Sequence, residues 1–213
     1  MPRLPLPPPP PPPYLRSWPG REAMLADRAR AMEELGRRWL GAPAAVGFWL
    51  YAALLAVGWC CVGVALQTFE GGVFPDVLIG GVFLLLGVGA LVPAVVLLGL
   101  GVRRDRTVRE RLRAWGELGP DPAVDARLRA PGRSLGWLLP SFVLAAAGLW
   151  TSLGYAATAR PGAATYADAA YFIGMGFVMW VVGLLGTVKA VGHYRWAVRL
   201  PAGRPAAGYV RQP

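Results

Sequence analysis

VLIGGVFLLLGVGALVPAVVLLGLGV, residues 77–102, runs 26 residues without an ionisable side chain. A helix crossing a hydrocarbon core of ~30 Å needs about 20 apolar residues. A helix of a soluble core keeps a polar face at the 3.6-residue period. This stretch has none, so it reads as a membrane span. Three more runs repeat the pattern, at 43–66, 135–157 and 171–192. Apart from tyrosines, the only ionisable groups in all four are the thiols of Cys60 and Cys61 and the amine of Lys189. Lys189 falls in the last turn of its run, where its stem can reach the interface. Over the whole chain, 55% of the residues are hydrophobic and 16% charged. Soluble domains carry about 25% charged residues.

The segments between the spans differ sharply in charge. Seven arginines lie in 1–42, nine in 103–134 and four in 193–213. The two remaining connections, 67–76 and 158–170, carry Arg160 alone. The positive-inside rule then places both termini and the 103–134 loop in the cytoplasm. The arginines of that loop would fix topology and meet anionic headgroups, each worth about 1 kcal/mol near such lipids. Nucleic acid is the weaker partner, because a basic patch without a binding motif is poor evidence for it. The arginine-heavy, lysine-poor composition resembles translation from a GC-rich genome. The expected location is therefore a bacterial cell membrane. The first span lies too far from Met1 for a cleavable leader and is expected to remain as an anchor.

The expected architecture is an all-α integral membrane protein, a four-transmembrane-helix bundle with N-in/C-in threading and cytoplasmic amphipathic helices. Residues 1–19 would be a disordered proline-rich arm in polyproline II, because proline lacks the backbone donor. An aromatic-lined groove on a partner could bind it. Residues 20–42 would form an amphipathic juxtamembrane helix with Leu25, Met32, Leu35 and Trp39 on one face. Glu33–Arg37 and Glu34–Arg38 would pair on the other. The apolar face suits the headgroup plane, or else a partner helix. In 103–134, Thr107-Val-Arg-Glu110 has the spacing of a capping box. Val108, Leu112 and Trp115 follow at helical spacing, and Asp125 and Arg129 form an i,i+4 pair. The 193–213 tail reads as disordered.

In lipid, small residues let helices approach closely. Candidate seams are Ala52–Ala56–Cys60, Gly148–Ser152–Ala156, Gly183–Thr187 and Gly186–Ala190. Pro93 falls inside the second span and is expected to kink it. Trp39, Trp137 and Trp196 fall at the expected cytoplasmic interface.

Convergent chemistry is sparse. Cys60 and Cys61 read as apolar fillers rather than a redox pair. His193, the lone histidine, reads as an interfacial structural residue rather than a metal ligand or acid–base group. Glu70, Asp76 and Asp168 could meet over a cation on the outer face but read as solvated acids. No HExxH, CxxC or Walker-type pattern is present. No catalytic, cofactor-binding or metal-ligating residue is therefore assigned. The function expected is a non-enzymatic membrane subunit or scaffold, working with membrane or cytoplasmic partners or with further copies of itself. A transporter or channel component comes second and a membrane enzyme last.

Overall fold

The computed structural model describes residues 6–16, 18–121, 125–127, 131–158 and 165–199. A short 3-10 turn, Pro13–Leu15, precedes α1 (Arg21–Leu40), α2 (Ala42–Gly71), α3 (Phe74–Gly116), α4 (Pro131–Thr158) and α5 (Tyr166–Arg199). Four helices are long and apolar enough to cross a membrane, and they are α2 to α5. The calls for Arg129, for 159–164 of the 158–170 connection and for the tail beyond 199 lie outside the described residues.

The chain breaks where its chemistry demands it. Gly41, extended, ends α1 with its N–H on Arg37 O at 2.9 Å. Pro43 follows in the first turn of α2, where a missing N–H costs nothing. Between α2 and α3 only Gly72 and Val73 are non-helical, far fewer than the ten-residue loop expected. Gly72 takes φ +69°, the left-handed cap that reverses a chain tightly, and Pro75 starts α3. The capping-box reading also fails. α3 runs unbroken for 43 residues, about 65 Å. Thr107 sits inside it and its hydroxyl donates back to Arg103 O. The N–H groups a cap would satisfy there already bond to the preceding turn. Pro93 lies inside α3 without ending it.

The helices pack in the order α3–α2–α5–α4. α3 and α4 are not a principal pair, so the four long helices pack as an open row. The seams are glycines. Gly58 faces Gly87 between α2 and α3: a Cβ on Gly87 would fall 2.9 Å from Gly58 O. Gly148 faces Gly176 between α4 and α5: a Cβ on Gly148 would lie 2.4 Å from Trp180 N. Gly183 and Gly186 meet Ala145 and Ser141 in the same way. Of the expected seams, those through Gly148, Gly183 and Gly186 are used. Ala52 joins Ala94, Leu98 and Val182 where α2, α3 and α5 converge, and Cys60 Sγ lies 3.5 Å from the Tyr171 hydroxyl of α5. α2 meets α5 through Trp59, whose ring lies on Gly174 and whose Nε1 donates to Tyr171 O at 3.0 Å.

Gly148→Leu should therefore unfold the α4–α5 seam, at a cost of about 1–3 kcal/mol. Gly154→Leu, on the same helix with open space around its Cβ, should cost little. Thermal unfolding in detergent, followed by helical circular dichroism, compares the two. Equal losses would refute the seam.

Candidate functional site: the basic end

The arginine-bearing segments gather at one end of the spans. Asp105 near the foot of α3 reaches Lys189 of α5 at 3.0 Å. Ser134 of α4 bonds His193 of α5 at 2.8 Å. Trp39 of α1 lies edge-on to His193 and to Trp196. The opposite end holds Glu70, whose Oε1 accepts from Ala167 N at 2.8 Å, and Asp168, which accepts from Gln67. Glu70 thus caps α5, and Asp76 lies beside Gly71. Among the described residues no three His, Cys, Asp or Glu side chains gather as a metal site.

The apolar stripe of α1 does not face the headgroup plane. Met32, Leu35 and Trp39 are buried against Val108, Leu112 and Trp115 of α3 and against Trp137 and Trp196. Glu34 takes both Arg37 and Arg38, so the expected Glu33–Arg37 pair does not form. The bond from Arg38 holds the Glu34 carboxyl below its usual range.

A buried ion pair ties this layer together. Arg28 Nη2 meets Asp125 Oδ1 at 2.9 Å with both side chains almost wholly out of solvent. Arg28 Nε donates to Trp115 O, at the C-terminal pole of α3, where a cation is favoured. Asp125 also accepts from Asp121 N. Asp125 therefore serves a partner 97 positions away. The Trp115 ring nitrogen donates to Pro8 O at 3.1 Å, and Arg111 bonds Leu6 O and Pro7 O. The proline arm, expected to be free, thus has its residues 6–8 held against α3.

Ser134 and His193 form a pair that sequence reasoning missed. The signal existed: Gly132-Arg133-Ser134-Leu135-Gly136 has GxSxG spacing. In hydrolases that spacing puts an exposed serine on a strand-to-helix turn. Here Ser134 is in the first turn of α4 and is 7% exposed, and His193 is 5% exposed. Neither lines either of the two cavities at this end. Their bond ties α4 to α5.

Two cavities open at this end. A groove of about 800 Å³ lies between the foot of α3 and the end of α5, lined by Arg109, Arg113, Glu117, Thr187, Val191 and Arg195 among others. A pocket of about 410 Å³ is walled by Phe48, Tyr51, Leu98 and Leu185 and edged by Arg38, Arg104, Asp105 and Lys189. Lys189 also sits over the Trp137 ring at 4.7 Å. Burial pushes the Asp105 carboxyl above its usual range, against the pull of Lys189.

Two outcomes follow from this chemistry. Arg28→Met or Asp125→Leu alone strands a buried charge and should cost about 3–5 kcal/mol, whereas the double variant should recover most of it. Additive losses in a double-mutant cycle would show that the two do not interact. For Asp105, the folded chain holds its proton more tightly than the unfolded chain. Its contribution to stability therefore rises as pH falls from neutral through the raised folded value, and is complete below the ordinary carboxylate range. Subtracting the melting profile of Asp105→Asn from that of the unaltered chain between pH 7 and 4 should reveal that rise; a difference that shrinks toward acid would contradict it. Comparison with known protein families, with curated proteins and with solved structures finds no match for this chain.

Proposed function

We propose that this chain is a non-enzymatic multi-pass subunit of a bacterial cell membrane. Both termini lie in the cytoplasm, and the chain assembles with partner membrane proteins. Support for the threading comes from the cation count, with 20 arginines in the segments of one end and Arg160 alone in those of the other. The observation that carries the assembly reading is the open row of helices. α3 and α4 each pack chiefly on one neighbour within the spans and leave apolar flanks outward. On α4, Trp150 is 81% exposed, within the third span. Its indole N–H has no acceptor among the described residues, and in hydrocarbon an unmet donor is costly. A neighbouring transmembrane helix packed on this flank would supply one. The α1 stripe and the proline arm, the partner contacts that the sequence suggested, are engaged within the chain. The proposed assembly surface is therefore the α4 flank.

A second reading, a transport component, draws on the two cavities at the basic end. One experiment separates them. In a background of Cys60→Ala and Cys61→Ala, Trp150→Cys should cross-link in native membranes to one discrete species, and Leu85→Cys on the α3 flank serves as comparison. A chain that stays monomeric, and that passes solute when reconstituted alone, would replace the assembly reading with transport. A tag near Phe74 found on the same face as one near Arg21 would sink the threading.

A further inference from the structure

The groove between α3 and α5 has a composition that apolar packing does not explain. Three arginines, Arg109, Arg113 and Arg195, line it with one acid, Glu117. None of the three is in an ion pair among the described residues. Arg109 Nε bonds Asp105 O, and its Nη1 lies against α5 at Gly192, where a Cβ would fall 3.4 Å away. Like charges brought to one groove repel, and an anion relieves them. Guanidinium groups favour phosphate in particular, because their forked donors match its oxygens.

The level of the groove narrows the choice of anion. Its floor includes Thr187, Val188 and Val191, in the last turns of the apolar run 171–192. Thr187 Oγ1 is buried there with no hydrogen-bond partner. Its rim, with Arg113, Glu117 and Arg195, lies beyond the end of that run. The groove therefore begins at the depth where acyl chains end and opens where phosphodiesters sit. Val188, 60% exposed, offers an acyl chain an apolar wall below the charges.

We propose that this groove is a specific site for the phosphate of an anionic phospholipid. Arg113 and Arg195 bind the phosphodiester at the rim, and Arg109 holds it from behind. This inference rests on the membrane reading above but not on which face is cytoplasmic.

The test is native mass spectrometry of the full chain. The protein is released from nanodiscs of phosphatidylcholine containing equal minor fractions of phosphatidylglycerol and cardiolipin. The unaltered chain should retain an anionic lipid in preference to phosphatidylcholine. Arg113→Gln with Arg195→Gln should cut that retention roughly tenfold or more. Both side chains are exposed and make no hydrogen bond among the described residues, and a thermal melt confirms the fold. Arg103→Gln with Arg106→Gln removes the same charge from α3 outside the groove and should leave retention unchanged. Equal loss in both pairs would reduce the effect to net charge and overturn the site. Equal retention of phosphatidylcholine would do the same. Displacement of the lipid by millimolar inorganic phosphate would assign the groove to a soluble phosphate instead. Nanodiscs present the same lipids on both faces, so a wrong threading would surface only in the tag experiment and leave this result intact.

Discussion

One buried cation organises the basic end. Moving a guanidinium out of water costs several kcal/mol unless its donors are met. Arg28 places Nη2 on Asp125 and Nε on the carbonyl of Trp115, while Nη1 stays buried without a partner among the described residues, so the three residues, from separate parts of the chain, depend on one another. That requirement fixes α1 against the foot of α3 and draws the segment after α3 beneath it. Trp115 then joins two tasks. Its carbonyl receives Arg28 and its ring nitrogen donates to Pro8. The far wall of the groove, Gly116, Glu117, Gly119 and Pro120, follows directly after that residue. The position of the wall is inherited from the ion pair.

Under the membrane reading proposed above, the same long helices obey two different solvents. Within the spans, apolar area gives no reason to associate, and helices meet where glycine removes a side chain. Gly58 with Gly87 and Gly148 with Gly176 set those contacts. Past the spans, α3 and α5 would enter water and the rule would reverse. There Val108, Leu112, Trp137 and Trp196 close around Trp39 because apolar burial is favourable. The open row follows from the first rule. Nothing in lipid pulls α3 toward α4 unless a close-packing seam exists between them. The compact basic end follows from the second.

The spans were legible because length and the lack of a polar face decide them, and neither depends on tertiary contacts. The amphipathic face of α1 was legible too, but not what it covers. The periodicity that marks Met32, Leu35 and Trp39 is the same whether lipid or protein lies opposite. Local signals misled where tertiary context overrode them. Thr107 and Glu110 have the spacing of a helix start, yet a cap matters only where N–H groups are free, and α3 arrives there already helical. Asp125 meets Arg28, a partner no local pattern could name. Among so many glycines, Gly148 could be picked out by Ser152 four positions on, whereas Gly58 and Gly87 have no small residue four positions away and align only with Ala65, and with Gly80 and Ala94, seven positions off. The Ser134–His193 tie spans 59 positions and shows itself only in three dimensions.

The proline arm illustrates how a chain can occupy its own binding surface. A proline run offers carbonyls and no donors, and Arg111 and the Trp115 indole offer donors and no acceptors. The match needs no regular secondary structure, and a stiff segment loses little entropy on binding. It is also intramolecular, so the arm confronts its site at an effective concentration of about millimolar order. A soluble protein with an aromatic groove would have to outcompete that tethered contact and leave Arg111 and Trp115 to water. The cost is modest per bond, but Leu6 would also leave its packing against the core cluster. The arm therefore acts first as a strap across the foot of α3. It steadies the helix that carries Arg109 and Arg113, and any partner that recruits the prolines would loosen one wall of the basic groove.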